Sequence, residues 1–241
     1  MNDIWILDTS LLEPSCFVLK QQDERPDSIA VIDDGTMMVD IDGPLSVKAK
    51  GMGASYEEIQ SAIETAERVG VERVLFLHNS PGGTASGMTE TAGMIKQMTM
   101  PTYAWSSTMM ASASYGLASA CDYVYATPTA MVGSVGAMII HFDISRMFEQ
   151  MGVKPTEIGF GKNKMQFSPF KPLSESAESA LTERVKECAE GFQAMVRMNR
   201  PGIDAEVFDS GVYVGKKSVE KGLTNGLITC KSEVVKFISE T

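Results

Sequence analysis

The residues best suited to chemistry lie between Met109 and Gly136, in MMASASYGLASACDYVYATPTAMVGSVG. Ser112 is set among small neighbours: Ala111, Ala113, Ser114, Gly116, Ala118, Ser119 and Ala120. The run reads as a short buried helix with Ser112 at its start, and small side chains let neighbouring backbone approach it closely. A serine hydroxyl is a weak nucleophile until a base takes its proton. At a helix start it also has an unpaired N–H beside it, here that of Ala113. A helix packed tightly for its own sake would have the same composition, so the residues alone leave both readings open. The stretch ends in Gly133-Ser134-Val135-Gly136, a second serine flanked by glycines.

Upstream, His78-Asn79-Ser80-Pro81-Gly82-Gly83 closes the apolar run Arg73-Val-Leu-Phe-Leu77, and a helix is expected from Thr84 to Met98. Two glycines between a buried strand and a helix let the N–H groups of Gly82 and Gly83 face a ligand, and unpaired N–H groups at a helix start favour negative charge. The oxyanion of a tetrahedral intermediate needs donors of this kind. A plain tight turn is the alternative.

These groups need a scaffold. The order expected is strand Ser28–Ile32, turn Asp33-Asp34-Gly35, strand Thr36–Ile41, then a glycine-rich connector from Lys48 to Gly53. Ser55 and Glu58 form a capping box that opens a helix, with Ile59, Ile63, Ala66 and Val69 on one face and Gly70 as its stop. The strand at Arg73–Leu77 is apolar enough to be buried on both faces. Strands follow at Pro101–Trp105 and Asp122–Ala126, a further apolar strand at Ala137–His141, and a helix capped by Asp143 and ended by Gly152. Val153–Ile158 reads as a strand and Gly161-Lys162-Asn163-Lys164 as a polar loop. Ser174 opens a long helix to about Arg197; Val212–Val214, a short helix at Lys216–Lys221, a last strand ending at Ile228 and a C-terminal helix complete the chain. This divides the sequence into an arm over 1–27, an α/β domain over 28–230 and a closing helix over 231–241.

Composition narrows the function classes. The chain has 241 residues, 44% of them hydrophobic, enough for a sizeable core. With 31 acidic and 21 basic residues its formal charge is −10, which disfavours phosphate-led binding of nucleic acid. Cys16, Cys121, Cys188 and Cys230 are far apart and form no CxxC pair, so buried or incidental thiols are expected rather than disulfides or a metal site. Asp3, Asp8 and Glu13 interrupt the N-terminus, no signal peptide is expected, and no window approaches the roughly 20 apolar residues of a membrane span. A cytosolic protein without a membrane anchor is the expectation. The 17 methionines suit gap-filling in core and interfaces.

Three features then coincide in order: Asn79-Ser80-Pro81-Gly82-Gly83, Ala111-Ser112-Ala113-Ser114-Tyr115 with Gly133-Ser134-Val135-Gly136 behind it, and Gly161-Lys162-Asn163-Lys164. The set resembles the signal peptide peptidase A family of serine peptidases, and most of all its short soluble members from phages and prophages, which process capsid and scaffold proteins. The flanks Val39–Leu45, Gly51–Ile59 and Tyr213–Ile228 fit the same pattern, so the resemblance covers about 28–230. It implies a ClpP/crotonase-like α/β fold of stacked strand-strand-helix units, a Ser-Lys dyad and no cofactor. It gives Ser112 the role of nucleophile, Lys164 that of general base, Ser134 that of orienting the lysine, and Gly82, Gly83 and Ala113 the oxyanion hole. Lys162 is the rival base, but the family lysine stands three residues after the glycine. Ala113-Ser114 stands where many relatives carry two glycines. The resemblance also implies protein or peptide substrates, homo-oligomers, and a setting in the bacterial cytosol or a phage prohead.

A lysine amine acts as a base only when neutral. To work near pH 7.5 its pKa must fall from about 10.4, at a cost of about 4 kcal/mol. No Asp or Glu lies between Ile158 and Ser174 to oppose that. Three other readings remain. A Clp-type Ser-His-Asp triad would use His141. A non-catalytic assembly protein would share the fold. Acyl-CoA hydratase chemistry would need an acid near the glycines, where Glu90 is the one carboxylate at hand.

Overall fold

The computed structural model of the chain describes residues 5–7, 30–48 and 53–240. The expected N-terminal arm, apart from Trp5–Leu7, lies outside the described residues, as do Cys16 and positions 49–52 of the connector. In chain order the elements are β1 (Trp5–Leu7), β2 (Ala30–Asp33), β3 (Thr36–Asp42), α1 (Tyr56–Val69), β4 (Arg73–Ser80), β5 (Gly82–Thr84), α2 (Met88–Gln97), β6 (Thr102–Ala111) and α3 (Ala113–Ser119). They continue as β7 (Tyr123–Ala126), β8 (Met131–Gly133), α4 (Ser145–Gln150), α5 (Glu175–Asn199), β9 (Val212–Val214), α6 (Lys216–Glu220), β10 (Gly226–Leu227) and α7 (Lys231–Ser239).

The main sheet runs β10-β7-β6-β4-β3-β2. Along this path all pairs are parallel except the β2–β3 hairpin, which the Asp33-Asp34-Gly35 turn closes; off it, β8 pairs parallel with β6 and antiparallel with β9. Parallel strands need both faces covered. β4 shows why its sequence lacks alternation: Val74 and Phe76 enter one apolar cluster, Leu75 and Leu77 the other. The larger cluster receives Ile59, Ile63 and Ala66 of α1, most of α3, and Phe192, Met195 and Val196 of α5. The smaller one lies beneath α7, whose Val234 and Ile238 pack with Tyr103, Trp105 and Ile228.

Local signals set several boundaries. The Ser55 hydroxyl accepts from the Glu58 N–H, the Glu58 carboxylate accepts from the Ser55 N–H, and Gly70 ends α1 in the left-handed conformation. Ser174 caps α5 by accepting from the Ala177 N–H. Four expectations need correcting, and Val69 is a lesser fifth: it closes the α1 stripe in sequence but is exposed. The helix expected from Thr84 begins at Met88, because Gly82–Thr84 is held as a strand by Leu45 and Gly87 (φ 94°) opens the helix instead. Ala137–His141 and Val153–Ile158 form no strands: β8 ends at Gly133, Met138 makes no more than an isolated bridge, and no strand among the described residues pairs along either segment. Asp143 is not the cap of α4. Ile144 is, and Asp143 accepts from the Ser145 N–H in the turn before it.

Candidate active site

Ser112 stands at the junction of β6 and α3. It is buried, at φ 55° and ψ −123°, a region that costs a non-glycine residue about 1–3 kcal/mol. The strain is held from both sides. The Ser112 N–H donates to Gly133 C=O at 2.7 Å, and Ser112 C=O accepts from the Gly116 N–H at 2.9 Å. All seven residues of α3 are buried, and a side chain on Gly116 would press on Met88 and Phe192. Among the described residues the Ser112 hydroxyl makes no hydrogen bond, and Ala113, first in its helix, has no intrahelical acceptor for its N–H.

Ser134 is Ser112's counterpart on the next strand. β6 and β8 run parallel with Ala111 opposite Gly133, so Ser112 and Ser134 both follow that pair. Ser134 is at φ 57° and donates its N–H to Gly211 C=O at 2.8 Å. Gly133, at φ 125°, allows the bend, and a Cβ there would stand 2.5 Å from the Gly211 oxygen.

The glycines approach from β4. Ser80 lies opposite Met110 in the parallel register, which brings Gly82 and Ser112 to the same end of the sheet, where α3 packs against β5. Gly82 C=O accepts from the Leu45 N–H at 2.8 Å, and the Thr84 N–H donates to Leu45 C=O at 2.9 Å. A Cβ on Gly83 would collide with the Leu45 carbonyl, so glycine is required by close approach and not by φ. The Gly82 N–H donates to the buried Ser80 Oγ at 3.2 Å, and Gly83 lies opposite Ile6 in the β1–β5 pair.

The basic candidates stand elsewhere. Lys162 and Lys164 are both exposed, in the turn that follows Gly161, and among the described residues no hydrogen bond or ion pair holds the Lys164 amine. His141 is half-buried near Asp143, and its Nε2 has no partner among the described residues. Glu90 is exposed on α2. A cavity of about 820 Å3 is lined by Asp40, Asp42, His78 and Asn79 among others and includes neither Ser112 nor Ser134. An extended peptide needs a strand edge more than a closed pocket.

Sequence reasoning quoted His78 and Ser80 only as members of a motif, gave neither a role, and did not reach Gly211. A histidine inside an apolar strand was the available signal for the first. His78 is buried, its Nδ1 lies 2.8 Å from Ser114 Oγ in α3, and its Nε2 has no partner among the described residues. Burial pushes its pKa down to about 3. The folded chain therefore binds fewer protons than the unfolded one between about pH 6.5 and 3, so this contribution to stability is complete above pH 6.5 and lost as pH falls. At pH 4.5 the loss is about 3 kcal/mol relative to pH 7.5. Urea denaturation at the two pH values should show that loss in the native chain and a smaller one in His78→Asn.

Among the described residues no group of His, Cys, Asp and Glu could hold a metal ion, Cys121, Cys188 and Cys230 are free, and no helix is long and apolar enough to cross a membrane. Comparison with known proteins finds similarity at two levels. The head-tail preconnector protein GP5 of Enterobacteria phage P21 is 27% identical over 222 residues, which is 88% of this chain and 44% of that protein. The capsid assembly protease C of Escherichia phage lambda is 28% identical over 163 residues, 66% of this chain and 37% of that protein. The chain thus spans less than half the length of these relatives. Among solved structures, a ClpP1 mutant from Listeria monocytogenes superposes with a TM-score of 0.55 at 12% identity, covering 82% of this chain and 94% of that one, which shows a ClpP/crotonase-like α/β fold. The description "Peptidase family S49", the family that includes signal peptide peptidase A, matches residues 94–237, a span that holds Ser112, Ser134 and Lys164. With that match over more than half its length, the chain belongs to Peptidase family S49.

Proposed function

We propose that the chain is a serine endopeptidase that cleaves protein or peptide substrates through an acyl-enzyme on Ser112. The observation that carries this reading is the strained, buried Ser112 at a strand–helix junction, beside Ser134 and facing the Gly82–Gly83 edge. Strain at a non-glycine residue persists only where its surroundings over-determine it, and such residues cluster at reacting centres. In the proposed reaction Ser112 Oγ attacks the scissile carbonyl while a base takes its proton. The N–H groups of Gly83 and Ala113, with Gly82 as an auxiliary, receive the oxyanion. The same proton passes to the leaving amine, and a base-activated water then releases the acyl group. No cofactor takes part.

Lys164 is the proposed base, and Ser134 the residue that orients its amine. Their places in the motif order of the family support these roles. The exposed amine requires a partner surface. Residues 137–172 carry exposed Phe142, Met151, Ile158 and Phe160, with Phe160 fully exposed. Apolar side chains on that scale favour burial against another copy. We therefore assign the chain to a homo-oligomer in which this segment packs on a neighbour and the amine becomes dry. The name of one phage relative, a capsid assembly protease, supports capsid-related proteins as substrates. Scaffold proteins as further substrates, a host cytosol or prohead as the setting, and no nucleic acid or membrane as partner complete the proposal. Co-expression with the capsid and scaffold proteins encoded beside it tests the substrate class. Mass spectrometry should find one or a few discrete cuts that vanish with Ser112→Ala; intact proteins in both cases would remove capsid processing from the reading.

A further inference from the structure

The strand edge beside the proposed nucleophile is already taken, and by the chain itself. β1 pairs antiparallel with β5, placing Trp5 opposite Thr84, Ile6 opposite Gly83 and Leu7 opposite Gly82. The other edge of β5 is spent on Leu45, through Gly82 C=O and the Thr84 N–H. Backbone groups alternate along a strand, so the N–H and C=O of Gly83 point away from Leu45, toward the residue across from it in β1. That residue is Ile6. In an antiparallel pair of this kind the two residues exchange both hydrogen bonds. Ile6 C=O therefore faces the N–H that the proposed reaction reserves for the oxyanion.

We propose that residues 5–7 are an intramolecular, substrate-like occupant of the peptide-binding edge, and that extended peptide substrates must displace them. The inference rests on the reading of Ser112 and Gly83 above. It identifies what the edge binds: an extended backbone running antiparallel to β5, recognised through main-chain groups. Such strand addition draws affinity from the backbone and leaves side chains to set preference. A three-residue ladder is marginal by itself and can be displaced. Tethering keeps it competitive, because a short linked segment has an effective concentration in the millimolar range.

The probe is a fluorescein-labelled peptide with the sequence of residues 1–12, MNDIWILDTSLL. Its binding is measured by anisotropy to three full-chain backgrounds, all carrying Ser112→Ala so that nothing is cleaved: no further change, deletion of residues 2–7, and Ile6→Pro. Proline at position 6 has no N–H for Gly83 C=O and cannot sit inside a paired strand. Both altered chains should bind the probe about five-fold or more tightly than the first, since the tethered competitor is gone. Equal affinity in all three, or binding to none, overturns the proposal. Ile6→Pro leaves the chain full length, so a deletion that fails to fold does not decide the matter. Binding needs no catalysis, so this result and the loss or retention of hydrolysis in Lys164→Ala can fail separately.

Discussion

Ser112→Ala should lower peptide hydrolysis by about ten-thousand-fold or more, the scale on which removal of a serine nucleophile acts. Its thermal stability should stay within about 0.5 kcal/mol of the parent. The two halves of that expectation have separate causes. The hydroxyl makes no hydrogen bond among the described residues, so its loss orphans nothing. Alanine keeps the β-carbon, so the backbone strain at φ 55° is unchanged. Ser112→Gly removes the strain as well and should melt higher than alanine while being as inactive. Substantial residual hydrolysis in Ser112→Ala would remove the nucleophile assignment. A large fall in its melting temperature would mean that the serine is structural.

Lys164→Ala is expected to cost about a thousand-fold in turnover, within the range by which a positioned base contributes. Stability should scarcely move, because the side chain is exposed in the single chain. His141→Ala is the control for a histidine-based mechanism: retention of activity there with loss in Lys164→Ala selects the lysine, and the reverse selects the histidine. Mixing the two dead chains, Ser112→Ala and Lys164→Ala, then asks which copy supplies the amine. If a neighbour supplies it, random mixing of subunits returns about a quarter of the native rate. If each copy serves itself, the mixture stays inactive. Lys162→Ala should be near normal in either case.

Much of the fold was legible because it was locally encoded. The capping box at Ser55 and Glu58, the unbroken apolar run of β4 and the stripe of α5 each name their element without help from elsewhere. Ser112 at the head of a small-residue helix was legible for the same reason. What the sequence hid was pairing over distance. Gly82–Thr84 is a strand only because Leu45 and β1 lie along it, and nothing in Pro-Gly-Gly-Thr announces either partner. Apolar runs at 137–141 and 153–158 look like strands but have no ladder among the described residues. The alignment of Ser134 with Ser112 depends on β8 joining β6, a contact across many residues of chain. Gly211, which holds Ser134, carries no local mark at all.

The two apolar layers lie on opposite faces of one sheet, α3 in the first and α7 in the second. Any polypeptide joined after α7 would set out from the side turned away from the proposed nucleophile of the same molecule. To be cut by the molecule that carries it, such an appendage would have to loop round the border of the sheet, whereas an adjacent molecule could receive it directly. Trimming of a fused tail would then depend on how many molecules meet, and would slow on dilution.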